Sequence, residues 1–141
     1  MIDGVVIKDL EIATSDNENL TDDCFKEGFG QLSVSRIHQG VIKAWHIHKK
    51  QVDWWYVTDG VLKVALYDTR KDSCTLRETM ELLMGDNQPA QVLRIPPGVA
   101  HGYKCLKGPA NIFYITSRVY DGTDEGRIAY DATEIGYDWT L

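Results

Sequence analysis

The chain has no matched cysteine pair, no long apolar run and no surplus of positive charge. Its three cysteines, Cys24, Cys74 and Cys105, are odd in number and form neither a zinc nor a redox spacing. That excludes a closed disulfide framework and leaves reduced thiols as the expectation. No apolar stretch approaches the length of a membrane-spanning helix. The opening residues, Met1-Ile2-Asp3-Gly4, lack the basic and apolar regions of a secretion signal. A cytoplasmic protein with no membrane partner is therefore expected. Acids outnumber bases by 21 to 15, for a formal net charge of −6. This balance argues against a broad phosphate-binding surface, so no nucleic acid partner is expected, although one local basic pocket remains open. Internal repeats, low-complexity tracts and linkers are also absent. The 141 residues suit a single domain, 1–141, with a substantial core.

Strand signals dominate what is present. β-branched or alternating runs occur at 5–7, 32–37, 41–48, 92–95 and 111–116. The run 53–57 leads through Thr58-Asp59-Gly60 into 61–67, which predicts a hairpin. Pro96-Pro97-Gly98 should end one strand, and Gly108-Pro109 should precede another. Helical composition is confined to 79–84, cut short by Gly85-Asp86-Asn87, and to 17–25, where Asn17 or Thr21 offers a cap. Many short strands with regular turn signals predict an antiparallel sandwich or barrel. The tail 121–141 carries Ile128, Tyr130, Ile135, Tyr137 and Trp139, which predicts a packed return segment.

Three histidines carry the chemistry. His46 and His48 are two apart on a strand and so share one face. His101 follows the turn Pro96-Pro97-Gly98-Val99-Ala100 far downstream. Imidazoles gathered in a small barrel either hold an ion or move a proton. His38, beside Arg36 and Gln39, reads as a solvated strand residue. Of Trp54 and Trp55, one is expected in the core and the other at a surface or dimer contact. Tyr114 shares a face with Ile112 and Thr116, so the pattern alone leaves it as either a core or a functional residue.

Gly40, His46-Ile47-His48, Asp53 and Gly60 fit the first cupin motif, and Pro96-Pro97-Gly98-Val99-Ala100-His101 fits the second. The chain therefore resembles the cupin superfamily, which implies an all-β jelly-roll barrel. Asp53 stands where a longer Glu is usual, and Cys105 takes the place of the second motif's closing Asn.

A more specific resemblance runs through three blocks. The first is Gln31-Leu32-Ser33-Val34-Ser35 through Gly40-Val41-Ile42-Lys43-Ala44-Trp45-His46. The second is Ile95-Pro96-Pro97-Gly98-Val99-Ala100-His101-Gly102-Tyr103. The third holds Tyr114, Tyr120, Glu125-Gly126-Arg127-Ile128-Ala129-Tyr130-Asp131 and Ile135-Gly136-Tyr137-Asp138-Trp139. In order and spacing these resemble the dTDP-4-dehydrorhamnose 3,5-epimerase family, a metal-free branch of the cupins.

That resemblance implies a homodimeric epimerase or isomerase of a nucleotide-diphosphate 4-keto sugar, working in carbohydrate or cell-surface polysaccharide biosynthesis. It implies no cofactor and no metal. His46 would be the base, and Tyr114 the acid on the opposite face of the ring. Gln31, Lys43, His48, Asp53, His101 and Arg118 would contact substrate. Lys43 stands where the family has a phosphate-contacting Arg, and supplies charge without the bidentate fork.

Two departures stand out. Gln51-Val52-Asp53 puts an acid where the family has a Lys. The family's downstream Asp, which partners the base, has no counterpart before Leu141. Asp53 or His48 is then expected to orient His46, while Glu125 is placed at the barrel rim. Lys43 and His46 are three apart, so a bulge or local twist is needed to bring both to one pocket. The alternatives are a metal-dependent cupin enzyme using His46, His48, Asp53 and His101, or a sugar-nucleotide-binding protein without turnover.

Overall fold

Two long strands organise the molecule. A computed structural model describes residues 1–10 and 24–140. Its elements are β1 (Val6–Asp9), β2 (Gln31–Ile37), β3 (Ile42–His48), β4 (Asp53–Asp68), β5 (Thr79–Gly85), β6 (Gln91–Ile95), β7 (Val99–Thr116) and β8 (Glu125–Arg127). All pairings are antiparallel. β4 pairs with β7 from Asp53↔Thr116 to Asp68↔Val99. Each long strand changes its other neighbour halfway along. The first part of β4 pairs β6 and the second part pairs β5. The first part of β7 pairs β3 and the second part pairs β2. One sheet is thus β1-β6-β4-β7-β2, the other β5-β4-β7-β3-β8, and the β4–β7 ribbon is common to both. This is the all-β jelly-roll barrel that the resemblance implies.

The predicted hairpin at 58–60 is not formed: β4 runs straight through it. The turn chemistry of Thr58-Asp59-Gly60 becomes a set of register shifts against β7 between Val57 and Leu62. Gly60 has φ 72°, and a Cβ there would lie 2.6 Å from the Lys107 carbonyl oxygen. Only glycine allows the ribbon to bend so closely on itself. Gly108-Pro109, predicted to precede a strand, likewise lies inside β7.

The 79–84 stretch is a strand, contrary to its helical composition. Met80, Leu82 and Met84 alternate onto the core while Thr79, Glu81 and Leu83 face outward. Period-two burial and seven ladder positions against β4 outweigh a helical propensity spread over so few residues. The predicted helix at 17–25 lies, apart from its last two residues, outside the described residues. Among the described residues no helix is long and apolar enough to cross a membrane.

Inward stripes along the strands set where the core ends and the pocket begins. On β2 the stripe runs Gln31, Ser33, Ser35 and then Ile37, which is buried in the core. On β7 it runs Thr116, Tyr114, Ile112 and Ala110 in the same direction. Apolar side chains close one end of the barrel with Leu62, Val64, Leu66, Leu93, Ile95 and Val99. Polar side chains leave the other end open.

The tail packs on the outer face of the second sheet, as its apolar residues predict. Trp139 and Tyr137 place their rings 5.2 and 5.8 Å from fully buried Trp45. Ile128 and Ile135 join the same cluster, whereas Tyr130 is exposed.

Candidate active site

The open end of the barrel is a cavity of about 270 Å³. Gln31, Lys43, His46, His48, Asp53, His101 and Tyr114 all line it. The required irregularity is present: the β3–β7 register shifts between Lys43 and His46. Ala44 and Trp45 both pack against the tail cluster there, so Lys43 and His46 both reach the pocket. Gly102 makes this possible, because a Cβ on it would lie 2.4 Å from the Ala44 Cβ.

Arg118 does not line the pocket. It is exposed, two residues past the end of β7, where the ladder no longer aims its side chain inward. The Trp54 and Trp55 expectation also changes. Both are buried, Trp54 against Cys24 and Val52, and Trp55 in the core with its edge on the pocket.

His46 takes its orientation from Glu125, not from Asp53 or His48. β8 pairs with β3 in the register His46↔Arg127 and His48↔Glu125. Glu125 Oε1 then lies 3.3 Å from His46 Nδ1. Asp124, next along, accepts the backbone N–H groups of Lys49, Lys50 and Gln51 at 3.0–3.1 Å. That clamp ties the β3–β4 turn to the β8 strand and so holds the pair. Burial pushes the His46 imidazole down from its ordinary value, while the Glu125 carboxylate pulls it back up. The Glu125-Gly126-Arg127-Ile128 block was visible in the sequence, but nothing local showed which strand it pairs with.

On the pocket floor, His101 is fully buried, and burial pushes its imidazole down to about 4. It lies between Val99, whose carbonyl oxygen is 3.1 Å from Nδ1, and Asp53, whose Oδ2 is 3.7 Å from Nε2. Gln51 Nε2 donates to Asp53 Oδ1 at 2.7 Å, and Trp55 Nε1 donates to Oδ2 at 3.4 Å. His48 stacks on His101 at 5.5 Å between ring centres. Sequence reasoning missed Gln51 and Trp55 as members of this floor, although their two-residue spacing about Asp53 was a usable signal.

Tyr114 enters from β7, opposite Ser33 of β2 and Trp55 of β4. It therefore stands on a different wall from His46, which β3 supplies. Two separated walls bearing a base and a hydroxyl can act on the two faces of one ring. Lys43 and Tyr120, both exposed, stand at the mouth.

The sequence model of the dTDP-4-dehydrorhamnose 3,5-epimerase family matches residues 11–141. The chain belongs to that family. It is 45% identical over 147 residues to the spore coat polysaccharide biosynthesis protein SpsL of Bacillus subtilis, covering 99% of this chain and 97% of that one. Identity to the dTDP-4-dehydrorhamnose 3,5-epimerase of Methanothermobacter thermautotrophicus is 27% over 151 residues, covering 99% of this chain and 81% of that one. Among solved structures, the dTDP sugar isomerase of Desulfovibrio desulfuricans G20 superposes with a TM-score of 0.85 at 25% identity, covering 98% and 92% of the two chains. Family membership assigns the chain to the epimerases, and its fold agrees.

Proposed function

We propose that this protein epimerises a nucleotide-linked 4-keto sugar by moving a proton on and off a carbon beside the ketone, in the assembly of a polysaccharide. His46 removes the proton, and the electron pair of the broken C–H bond forms an enolate. Tyr114 returns a proton to the same carbon from the opposite face, which inverts the centre. The phenolate then regains a proton from solvent, and His46 loses its own. Glu125 keeps Nε2 of His46 free for the substrate by holding Nδ1, and stabilises the imidazolium once it forms.

The observation that carries this reading is the His46–Glu125 pair in one cavity with Tyr114. A cavity of about 270 Å³ suits the sugar ring. The nucleotide would then lie across the mouth, with Lys43 against a phosphate. A homodimer goes with this reading, supported by the exposed Leu32 and Val34 on the outer face of β2. Cytoplasmic location is supported by the three cysteines, none of which forms a disulfide among the described residues.

The test is deuterium wash-in at the carbons flanking the ketone of dTDP-4-keto-6-deoxyglucose in heavy water. Wild type should incorporate deuterium, and His46→Asn should lose about 100-fold or more of that rate. Wild-type exchange that survives in His46→Asn would overturn the assignment.

A further inference from the structure

An enolate carries negative charge on the former ketone oxygen, and the cavity has little to meet it. The lining holds two acids, Asp53 and Glu125, and one permanent cation, Lys43, which is exposed at the mouth. Several of the polar donors around it are already committed. Gln51 Nε2 donates to Asp53 at 2.7 Å, Gln31 Nε2 to Ser33 at 3.2 Å and Thr116 Oγ1 to the Arg118 carbonyl at 2.6 Å. A carbonyl oxygen only accepts, so the His101 Nδ1 hydrogen is taken up by Val99. Tyr103 differs from these. It lines the same cavity, and its hydroxyl has no hydrogen-bond partner among the described residues.

Its place in the barrel suits that oxygen. Tyr103 and His101 are two apart on β7, so both face inward. The ladder partner of Tyr103 is Lys43 of β3, the strand that carries His46. Its ring centre lies 5.7 Å from that of Trp55, which is the ladder partner of Tyr114. Tyr103 thus stands at the inner end of the cavity, between the wall of the base and the wall of the acid. We propose that the Tyr103 hydroxyl donates a hydrogen bond to the ketone oxygen of the sugar and holds the enolate formed there, a role that rests on the epimerase reading.

As His46 takes the proton, the C–H electron pair forms a C=C bond and the carbonyl pair moves onto the oxygen. Tyr103 donates to that oxygen throughout and keeps its own proton. The pair returns when Tyr114 protonates the carbon, so the two phenols serve two different atoms. At 8% exposure Tyr103 is shielded from water, which strengthens a bond to developing charge. Burial pushes its phenol up, with neighbouring Tyr114 adding to the effect, so it stays a donor at neutral pH. Ser33 and Ser35 also line the cavity, but an aliphatic hydroxyl is a far weaker acid than a phenol and donates less strongly to an oxyanion.

The experiment compares full-length wild type with Tyr103→Phe, which keeps the ring and removes only the hydroxyl. Deuterium wash-in and product formation are followed with dTDP-4-keto-6-deoxyglucose, and dTDP binding by calorimetry. Wash-in and kcat should fall together by about 100-fold, because the enolate itself is harder to form. KM and dTDP affinity should hardly move, since the hydroxyl meets the sugar and not the nucleotide. Placing 3-fluorotyrosine at position 103, which restores a phenol of greater acidity, should recover the rate. A fall of less than about tenfold in wash-in overturns the role, as that is below the loss of one oxyanion donor. Loss of product with wash-in intact also overturns it, because Tyr103 would then be protonating carbon. Loss of dTDP binding or of the thermal transition in Tyr103→Phe overturns it too, in favour of a packing role. Each of these leaves the epimerase reading standing, provided that wild type exchanges. Wild type that exchanges with no 4-keto sugar nucleotide removes the reading and the Tyr103 role together.

Discussion

Replacing Glu125 by Gln removes one negative charge, which faces His46 and, at 3.7 Å, the exposed Arg127 guanidinium. At the 3.3 Å separation of Glu125 Oε1 and His46 Nδ1, two unit charges attract by about 5 kcal/mol at an effective dielectric of about 20. The His46 side chain is 40% exposed and that of Glu125 14%. Solvent screening at such a half-open pair reduces the attraction to about 2 kcal/mol. This interaction exists in full only once His46 has accepted the substrate proton, so its loss falls on the transition state. About 2 kcal/mol corresponds to roughly a 30-fold fall in kcat. KM should change less than kcat, because Glu125, although it lines the pocket, faces His46 Nδ1 and acts through the imidazole. Initial rates of product formation, followed by NMR with a 4-keto sugar nucleotide, give both parameters. The Glu125→Gln change should add little to His46→Asn, because both act on one group. A kcat within twofold of wild type, or a loss confined to KM, would refute the reasoning.

Three further outcomes follow from the geometry. Tyr114→Phe should still wash deuterium into the substrate, because His46 can remove and return a proton on its own face; product should fall by about 100-fold, and loss of exchange and product together would contradict the two-wall arrangement. Lys43→Ala should raise KM about tenfold with a smaller change in kcat, read from saturation curves at low and high salt, since a single phosphate contact at an exposed mouth is screened. Asp68 is fully buried and accepts from Arg70, Ser73 and Thr75, which hold its carboxyl well below the usual carboxylate range. Asp68→Asn should cost about 3 kcal/mol in denaturant unfolding. Its folded value is depressed, so the stability it contributes is complete above the ordinary 3.8 and drains away as pH falls below that. The gap between wild type and Asp68→Asn should therefore narrow in acid.

Much of the site was legible because its signals are local. His46 and His48 share a face by strand period, and the Pro96-Pro97-Gly98 turn leads directly into the strand that carries His101. The need for a bulge between Lys43 and His46 followed from their odd spacing. The strand runs and the apolar tail were likewise set by period-two burial and turn residues. Other features were decided only when the sheets closed. Thr58-Asp59-Gly60 has the chemistry of a hairpin turn, yet β7 offers a partner along the whole of β4, and continuous pairing replaces the reversal. The 79–84 stretch became a strand because the β4 edge was there to receive it. Glu125 reached His46 through the register of β8, and Arg118 missed the pocket because β7 ends at Thr116, short of it. Strand period and turn preference are written into neighbouring residues, so the sequence alone determined which side chains could face inward together. Pairing between distant strands depends on which ladders and apolar faces can be satisfied at once. For that reason only the tertiary structure decided that Glu125 holds His46 and that His101, His48 and Asp53 meet on the pocket floor.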